Sequence, residues 1–372
     1  MRNRFDRNLE REDNFSAGFL NSTVLLCGVK GVSTLPLIGI TMGDPAGIGP
    51  EIILKALADG AIYGLCRPVV LGEPEILSSN MLKAGHELSL NIILNPGEAA
   101  AQHGKIDLMC VSQLKGKGVL PGKPTVEGGK AMVACIISAV EMCRKRQLEA
   151  MVTCPISKSL MHKAGYPYEG HTPFISHLTN TKDYVMMLAG DRLRVALVTI
   201  HCSLKDVPAV LDQEMIYKTI AITEKALRED FGFDKPRLAV AALNPHAGES
   251  GLLGSEEDLI IRPAVRRAKD QGIDIVGPLP SDTLFNKAAA GQFEAVVAMY
   301  HDQGLIPLKL LHFSDAVNVT LGLPIIRTSV DHGTAYDIAG TGRADASSLK
   351  AAVRMAATMV RNRKKKVTHV VG

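Results

Sequence analysis

Leu37-Ile-Gly-Ile-Thr41, Gly43-Asp-Pro-Ala-Gly-Ile-Gly-Pro50 and Glu51-Ile-Ile-Leu-Lys-Ala-Leu-Ala58 follow one another almost without a break. The first is short, apolar and rich in β-branched residues, the pattern of a strand buried on both faces. The second is a run of turn formers. The third has helical apolar spacing and a carboxylate, Glu51, in its first turn, where it opposes the positive end of the helix dipole. Strand, glycine-rich loop and helix in this order open an α/β unit.

The pattern recurs outward from there. Pro68–Leu71, Ala150–Thr153, Leu193–Ile200, Arg237–Leu243 and Ala295–Met299 read as strands. Thr125–Arg146, Gln213–Glu229, Glu256–Gln271 and Ser347–Asn362 read as helices. Strands alternating with helices imply a mostly parallel sheet covered on both faces. A length of 372 residues allows two domains, or one large α/β unit with a deep cleft. Residues 1–35 read as a flexible extension. Their basic start is interrupted by Asp6, Glu10, Glu12 and Asp13, and their apolar stretch by Asn21 and Ser22, so they make a poor signal peptide. No apolar stretch approaches the ~20 residues that span a bilayer.

Composition narrows the class. The net charge of +4 owes five positive charges to Arg361, Arg363, Lys364, Lys365 and Lys366, and without them it is −1. The body is near neutral, which argues against a nucleic-acid footprint; the basic run reads as a helix end and solvated tail. Aromatics are 4% with no Trp, too few for base-stacking platforms. Seven scattered cysteines, none in a Cys-x-x-Cys pair, point to a reducing compartment.

The chemistry gathers where strands end. Three strand-like runs lead directly into His201, His246 and His301. Ligands of open parallel sheets bind beyond the carboxyl ends of the strands, and three neutral imidazoles suit a catalytic divalent metal. Spacing alone does not select these three, because His332 ends a fourth such run and Cys202 offers a thiolate beside His201. A second, anion-binding group comprises His171 and Thr172 on a loop, with Lys309, Asn318 and Arg327 further on. The glycine loop is not the Rossmann fingerprint, since Ile52 stands where its third glycine belongs. No phosphate-binding Gly-x-x-x-x-Gly-Lys-Ser/Thr and no Gly-x-Ser-x-Gly elbow occurs, which weakens kinase and serine-hydrolase readings.

Gly43-Asp-Pro-Ala-Gly-Ile-Gly-Pro-Glu51, Gly170-His-Thr172, Asn244-Pro-His-Ala-Gly-Glu249, Tyr300-His-Asp-Gln-Gly304 and Arg327-Thr-Ser-Val-Asp-His-Gly-Thr-Ala335 together resemble the 4-hydroxythreonine-4-phosphate dehydrogenase family of vitamin B6 biosynthesis. The resemblance runs from about Leu35 to about Val360. It implies a two-domain α/β fold of mostly parallel sheets flanked by helices, like that of isocitrate and isopropylmalate dehydrogenases. The active site would lie in the interdomain cleft at a homodimer interface. Residues 36–152 plus 311–368 would form the cofactor-side domain, and 153–310 the domain of the metal ligands and dimer contacts. It further implies His201, His246 and His301 as metal ligands, and His171, Thr172, Lys309, Asn318 and Arg327 as substrate contacts. Lys309, Asp282 and Asp302 are candidate proton acceptors. His332, Gly333, Thr334, Asp337 and Gly340 would border NAD or NADP, which takes His332 out of the metal set.

The implied reaction is oxidation of 4-phosphooxy-L-threonine at C3 by NAD⁺, followed by metal-assisted decarboxylation to 3-amino-2-oxopropyl phosphate. One divalent metal (Zn²⁺, Mg²⁺, Co²⁺ or Mn²⁺) would serve each site of a cytoplasmic homodimer, with no nucleic-acid or membrane partner. Alternatives are a paralogue acting on 4-phosphothreonate, and a metal hydrolase or non-catalytic binding protein. Two departures bear on substrate choice. Thr199-Ile-His-Cys-Ser-Leu204 lacks the second Thr before His and the Pro after it that are common in the family, and Pro173 stands where an acidic residue is common.

Overall fold

Twelve strands make one sheet in the computed structural model, which describes residues 35–84, 88–112, 114 and 119–371. The expected extension, apart from Leu35, lies outside the described residues. The strands are β1 (Leu37–Thr41), β2 (Arg67–Gly72), β3 (Ser89–Ile92), β4 (Lys105–Cys110), β5 (Ala150–Thr153), β6 (Val185–Ala189), β7 (Arg194–Leu197), β8 (Leu238–Ala241), β9 (Ile275–Leu279), β10 (Ala295–Ala298), β11 (Val317–Leu321) and β12 (Ile326–Val330). Their order across the sheet is β3-β4-β2-β1-β5-β12-β11-β6-β7-β10-β8-β9.

Eight of the eleven pairings are parallel. The α/β reading therefore holds, with helices on the faces of the sheet. β1, β5, β8, β10 and β12 are buried along their whole length, as strands inside a sheet covered on both faces must be. Helix Val126–Arg144 begins where Thr125 Oγ1 accepts the Gly128 amide at 3.0 Å, and helix Gln213–Glu229 where Asp212 accepts the Met215 amide at 2.7 Å. The described residues contain no helix long and apolar enough to cross a membrane.

The other three pairings, β12–β11, β11–β6 and β6–β7, are antiparallel and sit together in the middle of the sheet. The alternation of strand and helix does not announce them. β6 turns straight into β7, with the Gly190 amide donating to the Leu193 carbonyl at 2.9 Å, so no helix separates the two. The reversals leave β7, β10 and β8 adjacent and parallel, with their carboxyl ends on one edge.

Three expectations need adjusting. The Leu193–Ile200 strand is shorter, Arg194–Leu197, although Val198 and Thr199 still donate to Ala298 and Met299. The Glu256–Gln271 helix opens with a π-helical turn, Glu257–Ile261, before Arg262–Asp270. The last helix does not stop at Asn362 but runs Ser347–Val371, and the basic run lies inside it. That run is not only a solvated tail. Arg363 Nη2 donates to Asp230 at 3.1 Å, Lys364 pairs with Glu149 at 2.5 Å, and Arg361 donates to the Leu65 carbonyl at 3.2 Å, which ties the helix to the body.

The glycine loop has a packing role. The Ile48 amide donates to the Thr334 carbonyl at 3.0 Å, and a Cβ on Gly47 would stand 2.9 Å from that oxygen. Tyr336 Oη donates to Asp44 at 2.6 Å, and Glu51 accepts the Ala344 amide at 2.9 Å. Loop 43–50 and loop 332–344 thus close on each other, and Gly47 is consumed by that approach. This close approach is the physical reason position 47 is a glycine.

Candidate active site

The antiparallel centre of the sheet floors a cavity of about 450 Å³. Residues two apart on a strand share a face. Arg327 and Ser329 of β12, Asn318 and Thr320 of β11, and Met186 of β6 accordingly lie together, with Asn318 opposite Ser329 and Thr320 opposite Met186. All but Thr320 line the cavity, as do Lys158, His171, Thr172, His201, Asp331, His332 and Gly333.

Arg327 is the unusual residue. It is 2% exposed, and its guanidinium meets only neutral oxygens. Nε and Nη2 donate to Thr153 Oγ1 at 3.2 and 2.8 Å, and Nη1 to Thr320 Oγ1 at 3.0 Å and Asn318 Oδ1 at 3.3 Å. No carboxylate pairs with it among the described residues. Burial pushes its pKa down to about 9, which still leaves a cation at neutral pH. A buried charge without a partner is costly, and an anionic ligand would offset that cost.

His171 faces it from the first turn of helix His171–Leu178. Its Nε2 is buried and has no hydrogen-bond partner. Burial, then the charge of Arg327, hold its pKa well below the ordinary imidazole value, so it is neutral. Thr172 Oγ1 lies 3.4 Å from Thr320 Oγ1, which links the helix start to the Arg327 network. A helix N-terminus, a buried guanidinium and free hydrogen-bonding groups describe a pocket for phosphate or carboxylate.

His201 and His301 approach each other because the tails of β7 and β10 are stitched together. Thr199 donates through its amide and its hydroxyl to the Met299 carbonyl, the latter at 2.7 Å. The two imidazole centroids are 6.2 Å apart. Partial burial, then Lys158, then His301 lower the His201 pKa. His301 opens helix His301–Leu311, and its Nδ1 lies 2.7 Å from Asp302 Oδ1. That contact favours the tautomer with Nδ1–H and an Nε2 lone pair.

His246 does not join them. It begins a left-handed turn in which His246, Ala247, Glu249 and Ser250 all have positive φ, each costing about 1 kcal/mol outside glycine. Among the described residues no three His, Cys, Asp or Glu side chains gather closely enough to hold a metal. One chain thus brings together two of the three expected ligands. Their donor set still fits a metal, since imidazole suits Zn²⁺ or Co²⁺ better than Mg²⁺, which prefers oxygen. Cys202 is exposed and donates to the Ser203 carbonyl at 3.4 Å.

The remaining expected residues scatter more. Lys309 Nζ is 3.0 Å from Asp331 Oδ2 at the cavity wall. Asp302 serves His301, whereas Asp282 is exposed on helix Ser281–Ala289 away from the cavity lining. His332 Nε2 is buried without a partner, and Gly333 lines the cavity. Thr334 anchors loop 43–50, Gly340 turns at φ +73° beside Pro121, and Asp337 is exposed. Sequence reasoning missed Lys158, Asp331, Thr153 and Thr320. The signal for the last two was a hydroxyl inside an otherwise apolar strand. A larger cleft of about 730 Å³, between helix Gln213–Glu229 and the last helix, holds none of the expected residues.

Residues 64–356 match the family described as pyridoxal phosphate biosynthetic protein PdxA. The chain belongs to the PdxA family. It is 54% identical over 322 residues to the 4-hydroxythreonine-4-phosphate dehydrogenase of Desulfosudis oleivorans, covering 86% of this chain and 95% of that protein. It is 43% identical to the D-threonate 4-phosphate dehydrogenase of Cupriavidus necator, covering 88% and 98%. The crystal structure of 4-hydroxythreonine-4-phosphate dehydrogenase from Klebsiella pneumoniae superposes with a TM-score of 0.82 at 42% identity, covering 87% of this chain and 99% of that one. Membership makes the chain an enzyme of a dehydrogenase family.

Proposed function

We propose that this PdxA-family enzyme oxidises 4-phosphooxy-L-threonine at C3 with NAD⁺ or NADP⁺ and decarboxylates the product to 3-amino-2-oxopropyl phosphate. The observation that carries the reading is the buried, unpaired Arg327 cation facing the orphaned Nε2 of His171. Arg327, His171, Thr172 and Asn318 would bind the anionic groups of the substrate and orient C3 toward His201. Lys309, already ion-paired with Asp331, is better suited to add charge to the anion site than to accept a proton. His201, His246 and His301 would hold a divalent metal, which when bound polarises the C3 oxygen. Loop 332–340 would border the nicotinamide cofactor, and the orphaned His332 Nε2 is a free group there.

A second copy of the chain completes the reading. Leu204, Leu252, Leu259, Ile306, Leu310 and Phe313 are large apolar side chains exposed on the segments that follow or carry the three histidines. Their burial in a homodimer would let one subunit lend a histidine to the other. Within each copy, 36–152 plus 311–368 and 153–310 would act as lobes about the cavity. A cytoplasmic location belongs to the same proposal, and six free cysteines among the described residues support a reducing compartment.

The D-threonate 4-phosphate reading is the rival. Two relatives named for the amino acid substrate are 54% and 52% identical, and two named for the threonate 43%, which favours the former. The test is NADH formation with each substrate, before and after chelation. Activity on the amino acid that a chelator abolishes and Zn²⁺ or Co²⁺ restores supports the proposal. Faster turnover of the threonate, or none of either, overturns it.

A further inference from the structure

His246 sits in a backbone segment that must be held in place. His246, Ala247, Gly248, Glu249 and Ser250 have φ of 52, 55, 81, 46 and 58°, five left-handed residues in a row of which one is glycine. L-residues visit this region singly, so a run of five persists only when its surroundings fix it.

The fixing group is Glu257. It is 1% exposed and starts the π-helical turn Glu257–Ile261. Its Oε1 accepts the amides of Leu243 and Asn244 at 2.8 and 2.7 Å, and its Oε2 accepts Asn244 Nδ2 at 2.9 Å. Asn244 Nδ2 also donates to Glu256 Oε2 at 2.8 Å. The left-handed turn lies directly over this carboxylate, since a Cβ on Gly248 would stand 2.8 Å from Glu257 Oε2. The carboxylate is thus engaged by the two residues that enter the turn.

We infer that Glu257 and Asn244 are positioning residues that hold His246 ready for a divalent metal. The inference rests on the reading of His246 as a ligand. An imidazole on a loose loop must be ordered at each binding event, whereas one on a clamped turn is ordered in advance. Glu257 acts through the backbone of the turn and does not touch the metal.

The experiment titrates Co²⁺ alone into the metal-free full chain, follows its visible absorption, and records thermal unfolding of the metal-free protein in parallel. His246→Ala should weaken Co²⁺ binding strongly. Glu257→Gln and Asn244→Ala should each weaken it at least about tenfold, the scale expected for groups supporting a metal ligand. Ala247→Gly in the Glu257→Gln background should recover much of the loss, because glycine adopts the left-handed turn without a clamp. Should Glu257→Gln not fold, Asn244→Ala paired with Ala247→Gly carries the same test. Wild-type Co²⁺ affinity in Glu257→Gln and Asn244→Ala while His246→Ala is impaired overturns the clamp. A loss that follows the fall in melting temperature and that Ala247→Gly does not rescue overturns it as well. Wild-type affinity in His246→Ala overturns the ligand reading itself, and the clamp with it.

Discussion

Arg327 shows what a single residue costs and does. Its guanidinium is buried against Thr153, Thr320 and Asn318 with no counter-charge among the described residues, which leaves the cation uncompensated there. Arg327→Met should therefore leave the melting temperature unchanged or raise it, since apolar replacement of a buried charge is often neutral or stabilising. The same change should raise KM for the phosphorylated substrate roughly 100-fold, or about 3 kcal/mol, the scale of a charge-assisted contact. Steady-state kinetics and thermal unfolding of one variant read both outcomes. Asp44 is a second residue with a signed consequence. Burial raises its pKa above the ordinary carboxylate range against the opposing hydrogen bonds of Tyr336 and Ala46. A raised folded-state value means that stability from this group is present at acid pH and lost as pH rises through the folded value. Asp44→Asn should thus gain on wild type as pH climbs from about 4 toward neutrality, measured as melting temperature against pH.

At the scale of elements, the two loops that close on each other form the side proposed for the nicotinamide cofactor. Gly47 approaches Thr334 so tightly that a methyl group would meet its carbonyl at 2.9 Å. Gly47→Ala should displace loop 332–344, raising KM for NAD⁺ more than KM for the phosphorylated substrate. Equal effects on both would show that the loop serves packing alone. The capped helix starts were legible in the sequence because they depend on neighbours in the chain. Helix Gln213–Glu229 matches its expected bounds, and Asp212 caps it. β6 and β11 were not read. No helix separates β6 from β7, and the alternation Val317-Asn-Val-Thr-Leu321 signals a strand without signalling its direction. The left-handed turn at His246 was invisible for another reason: four of its five residues do not prefer that conformation, and Glu257, thirteen positions on, holds its entry at Asn244.

For the whole molecule, the proposed metal site needs a third histidine beside the two that one chain brings together. His201 and His301 converge within one chain and His246 does not. Placing a charge on the exposed apolar helix should separate a dimer and the site with it. Leu310→Glu, at a position 82% exposed, should leave a folded monomer without dehydrogenase activity. Sedimentation and circular dichroism, read beside the assay, would detect a dimer that survives or a monomer that remains active, either of which sinks the shared site.

The sequence by itself determined the α/β alternation at its best-marked strands and helices and the placing of His201, His246 and His301 just beyond three of those strands. Each is a property of local periodicity or of residue chemistry. Only the tertiary structure decided that β7, β10 and β8 lie side by side and that β12 sits between β5 and β11. It alone decided that Arg327 has no counter-ion among the described residues and that Gly47 meets Thr334. Strand adjacency and burial arise largely from contacts between residues far apart in the chain, as where Ile326 pairs with Ala150 and Ala295 with Leu238, and local periodicity does not encode them.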